Sequence, residues 1–322
     1  MNSNKTKEQL TKLQPLIALF LMCVVISILS DKFLTVANGW NVMRQISVNL
    51  CISVGMTLVI LTGGIDLSVG SILAFAGAVA AGLLKFGIEL PAQNLFIEFT
   101  LIGGILAGII VGAGLGWFNG WAITKFKAPP FVATLAMLTM ARGFTMLYTQ
   151  GFPINNLGDH FSYLGTGWLL GIPVPVWISF LVVLIALFIT NKTPLGRYIY
   201  AIGGNESAAK LSGIKTKTIL TIVYTISGIT AALGGLMITA RLDSAQPNAG
   251  MSYELDAIAA VVIGGTSLSG GKGSIWGTVL GAIIIGVLNN GLVLLNVSPF
   301  WQQVVKGAVI LLAVILDKAN KK

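Results

Sequence analysis

The chain has 322 residues, 55% of them hydrophobic and only 10% charged, against about 25% charged in soluble globular chains. Its mean hydropathy is +0.87, and the charges cluster so that the gaps between them can cross a hydrocarbon core of about 30 Å. This excludes a secreted disulfide scaffold, a nucleic-acid binder and most soluble enzymes, and the net charge of +9 has a membrane explanation in the excess of Lys and Arg in cytoplasmic loops.

In chain order, residues 1–12 read as a cytoplasmic tail carrying Lys5, Lys7 and Lys12, followed by an uncharged run from Leu13 to Ser30. That run is too long for a secretory h-region and is followed by no small-residue cleavage pattern, so it is expected to be a retained first span. Candidate spans then lie near 13–30, 45–65, 67–84, 99–124, 128–148, 168–190, 218–240, 257–271, 274–296 and 299–316, with a short tail at 317–322. The expected fold is an all-α polytopic membrane protein of about ten transmembrane helices, with 13–316 as one transmembrane domain. Cys23 and Cys51 both lie in apolar runs and read as packing residues.

An even span count places both termini on one side. Fourteen basic residues fall in the loops of that side: Lys5, Lys7, Lys12, Lys125, Lys127, Lys192, Arg197, Lys210, Lys215, Lys217, Lys272, Lys318, Lys321 and Lys322. Four fall on the other: Lys32, Arg44, Lys85 and Arg241. The termini are therefore predicted to be cytoplasmic. Arg142 and Lys306 stand inside spans, where a long side chain either snorkels to an interface or pairs inside the bundle.

The longest cytoplasmic loop, 191–217, contains a capped helix pattern. Asn205 can accept from a free amide of the first turn, Glu206 sits at the positive end of the helix dipole, and Gly213 can close the helix in the left-handed region. So long a basic loop suits a docking role better than a mere connection.

Glycine numbers 39, well above the ordinary share of about 7%. Gly103, Gly104, Gly108, Gly112, Gly114 and Gly116, and again Gly277, Gly281 and Gly286, suit close helix packing. Two loops look different. Gly63 to Ser71 and Gly264 to Gly271 align at an offset of 201, matching at the Gly63-Gly64 and Gly264-Gly265 pairs, at Leu-Ser and at the final glycine. Weak internal repeats of this kind mark unwound backbone in transporters. Asp66 lies within the first loop without a basic neighbour in sequence. It is expected either to line a polar pathway or bind a coupling ion, or to cap the third span through a backbone amide with the help of Ser68.

The lone histidine, His160, and the absence of a Cys/His cluster argue against metal catalysis. Gly270-Gly271-Lys272-Gly273-Ser274 hints at a phosphate loop, but Thr266 and Gly273 break the Walker pattern. If transport uses ATP, the ATPase is another polypeptide.

Three segments then become diagnostic together: Met56 to Ser71, Leu195 to Glu206 and Tyr253 to Ser267. They resemble the sugar-import permeases of the ATP-binding-cassette superfamily, from about residue 15 to the end of the chain. The resemblance implies a type II importer-like permease without its own ATPase site. It pairs with a second permease subunit, expected to be an identical copy, in the bacterial plasma membrane, and it works with an extracytoplasmic sugar-binding protein and a cytoplasmic ATPase that holds ATP and Mg. It implies that Arg197, Gly204, Asn205, Glu206, Ala208, Ala209 and Gly213 couple to the ATPase, with Ser207 inserted relative to the superfamily's Glu-Ala-Ala pattern. The overall length, the short N-terminus and Ala240 to Pro247 favour ribose over xylose, galactosides or autoinducers. A neutral sugar needs hydroxyl and amide partners, so Asn49, Asn119, Asn289 and Asn290 are candidates for the pathway or for bridging helices, with Gly63, Gly64, Asp66, Ser68, Gly264 and Gly265 as gating candidates. The rival class is an ion-coupled secondary carrier using Asp66.

Overall fold

The computed structural model describes the backbone of residues 2–90 and 95–319, and side chains over 15–89, 95–312 and at 315. The charges of the predicted tails, Lys5, Lys7, Lys12, Lys318, Lys321 and Lys322, lie outside the described side chains. The helices are α1 (Asn2–Leu29), α2 (Val36–Leu61), α3 (Val69–Phe86), α4 (Leu101–Phe126), α5 (Pro130–Thr149), α6 (Asp159–Thr166) and α7 (Val174–Lys192). They continue with α8 (Pro194–Gly204), α9 (Glu206–Leu211), α10 (Thr216–Leu242), α11 (Tyr253–Ile263), α12 (Ile275–Leu294) and α13 (Pro299–Ala319). Short antiparallel pairs join β1 (Ile88–Leu90) to β2 (Leu95–Ile97), β3 (Ile154–Asn155) to β6 (Ser244–Ala245), and β4 (Trp168–Leu169) to β5 (Ile172–Pro173).

Among the described residues seven helices are long and apolar enough to cross a membrane: α2, α3, α4, α5, α7, α10 and α12. The first predicted span is the shorter apolar part of α1, Pro15–Leu29. The span predicted at 257–271 is the main misfit. The helix there is α11, 11 residues long, and it stops at Gly264 because Gly265 takes φ +83°. Two helices escaped the sequence reading. α6 sits in an external-type loop, and α8 starts where Pro194 occupies the first turn and the Thr193 side chain accepts from the Gly196 amide.

α2 is the central post, with every residue from Ser47 to Leu61 buried. It packs on α10, α12, α11 and α7. α4 meets α3 and α10 through small residues: Gly104, Gly108, Gly112, Gly116 and Gly120 recur every fourth position and all are buried. The spacing puts them on one stripe, and a Cβ added at Gly112 would lie 2.6 Å from the Gly228 carbonyl oxygen. Gly103 and Gly114, also expected to permit helix contact, fall off that stripe.

The loops sort into two faces. Leu61 at the end of α2 accepts from the Gly271 amide at 3.0 Å, and Gly120 near the end of α4 abuts Thr221 near the start of α10. The ends of α2, α4, α8 and α11 and the starts of α10 and α12 therefore share an "α8 face". On the opposite "hairpin face", β3 pairs with β6, Arg241 donates to the Asn41 side chain at 2.7 Å, and Trp40 meets Trp168 edge-on at 5.3 Å. The alternation follows the partition of basic loops.

Two elements begin inside the bundle. Asp66 and Ser68, just before α3, bond to Ser227 and Asn119, which at 1.5 Å per residue lie about 17 Å and 10 Å from the α8 face. α11 starts at the same depth, because Gly250 before it packs on the backbone of Gly70. The N-termini of α3 and α11 thus meet inside the bundle, and the segments leading to them, 62–68 and 243–252, are non-helical there.

Candidate functional site

The coupling segment is built as a capped unit. Asn205 accepts from the Ala208 amide at 3.0 Å. Gly213 adopts φ +85°, and the Ile214 amide reaches back to the Ala209 carbonyl at 3.1 Å, which closes α9 as a Schellman turn. On α9 only Ala209 is buried. Glu206, Ala208 and Lys210 are exposed, and Leu211, which the sequence reading did not single out, is 90% exposed. Arg197 is exposed on α8.

α8 carries this unit onto the bundle. Ile199 and Ile202 face the core, and the Tyr200 hydroxyl donates to the Gly273 carbonyl at 2.9 Å. At the end of α8 three stretches of backbone meet without side chains between them. A Cβ at Gly203 would lie 1.8 Å from the Leu61 carbonyl oxygen and 2.5 Å from the Gly271 nitrogen, so only glycine fits. Gly204, one residue on, meets nothing within 4 Å.

Both loops that touch this seam end their preceding helices in the same way. Gly63 and Gly265 have φ +82° and +83°. The Gly64 amide bonds to the Val59 carbonyl as the Thr266 amide does to that of Val261, at 3.2 and 3.1 Å. The equivalent residues are therefore 202 apart, one more than the offset of 201 taken from the letters, because the turn geometry pairs Gly63 with Gly265. Gly264 is instead pressed against the backbone of Gly277, and Gly64 against the buried Tyr224 hydroxyl.

Asp66 is fully buried and is the hub of a polar cluster. Its Oδ1 accepts from the Ser68 amide at 3.0 Å and the Ser68 hydroxyl at 2.6 Å. Its Oδ2 accepts from the Ser227 hydroxyl at 2.8 Å. Asn119 donates to the Ser68 hydroxyl oxygen at 2.9 Å. These neutral donors tie the recessed start of α3 to α4 and α10. The second non-helical segment is satisfied differently: Arg142 of α5 donates to the carbonyls of Pro247 and Ala249, at 2.6 and 2.9 Å. Its cation points into the bundle, where backbone carbonyls without water must find donors.

The four asparagines separate. Asn290 makes a reciprocal amide pair with Asn38 at 2.8 and 3.1 Å, joining α12 to α2, and Asn119 belongs to the Asp66 cluster. Asn49 and Asn289 line a cavity of about 90 Å³ together with Gln45, Tyr253, Asp256, Val293, Gln302 and Lys306. Lys306 Nζ sits 2.8 Å from Asp256 Oδ2, so the basic residue of α13 pairs inside the bundle and does not snorkel. Asp256, Gln45 and Gln302 come from three different helices, and no spacing in the chain announces them, whereas Lys306 stands out in the sequence as a basic residue inside a span.

Known proteins resemble this chain over nearly its whole length. The family model described as branched-chain amino acid transport system / permease component matches residues 39–314. The ribose import permease protein of Escherichia coli (strain K12) is 50% identical over 98% of this chain and 96% of its own length. That of Bacillus subtilis (strain 168) is 51% identical over 95% and 92%. The D-allose transport system permease protein of Escherichia coli is 39% identical over 94% and 91%. No solved structure matches the chain.

Proposed function

The chain belongs to the family of branched-chain amino acid transport system permease components, and from that membership we propose that it is the membrane-spanning subunit of an ATP-driven importer carrying ribose. The observation that carries this is the near full-length identity to the ribose import permeases of Escherichia coli and Bacillus subtilis, higher than to the allose permease. It is a multi-pass protein of the bacterial plasma membrane and a transport subunit, with ATP hydrolysed on a separate chain.

In this mechanism α1–α5, α7 and α10–α13 are the ten segments that cross or enter the membrane, with both termini and the α8 face cytoplasmic. Two copies of the chain form the pathway. A binding protein delivers the sugar to the hairpin face, and a cytoplasmic ATPase, holding ATP and Mg, docks on α9. Support for that docking comes from α9 itself: a helix too short to be stable alone is fixed by two caps and presents an exposed Leu211. Burying a leucine side chain contributes about 1.5–3 kcal/mol. ATP binding shifts the complex between states only if its partners bind those states unequally. The seam at Leu61, Gly203 and Gly271 is where a displacement of α9 and α8 reaches the recessed segment 62–68 and the loop that joins α11 to α12.

Reconstitution tests this. Proteoliposomes holding the permease, its ATPase and its binding protein are expected to accumulate ribose only when all three and ATP are present. Uptake by this chain alone on an ion gradient would discard the importer and make Asp66 the coupling carboxylate.

A further inference from the structure

The cavity between α2, α11, α12 and α13 has the chemistry of a site with its occupant missing. Asn49 is 8% exposed, yet neither its Nδ2 nor its Oδ1 has a partner, and the Oδ1 of Asn289, also 8% exposed, is equally unpartnered. Buried side-chain amides are normally bonded, and leaving one unmade costs more than bonding it returns. These atoms face a cavity whose other walls supply two further amides, Gln45 and Gln302, a carboxylate, Asp256, and an ammonium, Lys306. Asn289 reaches Asp256 Oδ2 only at 3.3 Å, while Lys306 holds the same oxygen at 2.8 Å.

Resting on the importer reading, we propose that this cavity is a transit site for a neutral polyhydroxylated ligand, and that the Lys306–Asp256 ion pair is the latch that closes it. Amides donate and accept at once, a carboxylate accepts from two hydroxyls, and an ammonium donates to hydroxyl oxygens. The set matches vicinal hydroxyls, which are donor and acceptor in turn, and not an apolar molecule, while the Lys306 ammonium on Asp256 disfavours a cation. The cavity is partly open, the Lys306 side chain being 23% exposed, and its volume of about 90 Å³ is less than a sugar ring needs. Admission therefore requires one wall to move, and α13 is the wall able to do so. It packs chiefly on α11, lies at the edge of the bundle with Phe300, Trp301, Val304, Leu311 and Leu312 exposed, and enters the cavity only through Gln302 and Lys306. Hydroxyls inserted between Lys306 and Asp256 would replace the ion pair's contacts as α13 moves out. The Asn49 position, about 18 Å along α2 from the α8 face, puts the site near mid-depth.

The test uses the complete importer in proteoliposomes. Asn49→Leu fills the wall with an apolar group of similar size and removes two orphaned atoms, so folding is preserved while the polar wall is lost. Ribose uptake is expected to fall at least tenfold, while the ATPase rate stimulated by loaded binding protein stays within about twofold. In a second arm, Gln302→Cys in a background with Cys23→Ser and Cys51→Ala is treated with a small thiol reagent. Modification should slow severalfold when ribose and binding protein are present. Full uptake by the Asn49→Leu importer, or modification of position 302 unaffected by ribose in an importer that transports, overturns the site and shows that the cavity holds water only. Loss of ribose uptake by the wild-type complex would instead overturn the importer reading itself.

Discussion

At the scale of single residues, Asp66 and Arg142 each hold a non-helical segment inside the bundle. Asp66 has three hydrogen bonds from neutral donors, two of them from Ser68, which suits a carboxylate that holds a recessed loop. An amide at this position keeps one acceptor for Ser68, and the Ser227 hydroxyl can turn to accept from the new NH2. Asp66→Asn is therefore expected to keep uptake within about threefold of wild type. Asp66→Ala strands the donors and should lower stability by about 1–3 kcal/mol, read as thermal unfolding in detergent. If the asparagine variant is dead while its unfolding temperature is unchanged, the charge itself is used. Arg142 makes the companion case. Arg142→Leu leaves the Pro247 and Ala249 carbonyls without donors at depth and is expected to destabilise more than the same change at exposed Arg197. Equal melting temperatures for the two variants would remove that role.

At the scale of elements, α8 and α9 form one packed unit whose two ends obey different rules. The α9 end was legible in the sequence because caps are local: Asn205 and Gly213 act on amides and carbonyls within a turn of themselves. The α8 end was not, because the requirement for glycine at 203 is imposed by Leu61 and Gly271, far away in the chain. Adjacent glycines make the contrast measurable. Gly203→Ala must push its new Cβ into the Leu61 carbonyl and is expected to lower ATP-driven uptake at least tenfold, whereas Gly204→Ala, with no atom within 4 Å, should transport normally. Equal activity of the two would show that the seam carries no motion.

At the scale of the whole molecule, the sequence showed a polytopic helical chain and the alternation of its loops, since charge density and apolar run length report membrane crossing directly. It did not show where the backbone unwinds at depth. Segment 243–252 looks like an ordinary polar loop, and only contact with Gly70 reveals that it enters the bundle. Nor could it separate Asn289 from Asn290, which are neighbours in the chain but point to Asp256 and Asn38 respectively. The orientation is tested by labelling single cysteines in intact cells with a membrane-impermeant reagent. Position 160, beside the exposed hairpin face, is expected to react, and position 208, on α9, is expected to react only after the membrane is opened. The reverse pattern would invert the molecule and place α9 where no cytoplasmic ATPase can reach it.

The seam of Leu61, Gly203 and Gly271 has a bearing on how transport is timed. Interdigitated side chains can slip from one rotamer to the next and absorb a small push, so they transmit it gradually and with loss. Bare backbone pressed on backbone has no such play: the carbonyl and the amide either stay in register or separate. With an ATPase docked on α9 as proposed, a junction of this type yields only to a full stroke, so each hydrolysis cycle should count as one discrete opening.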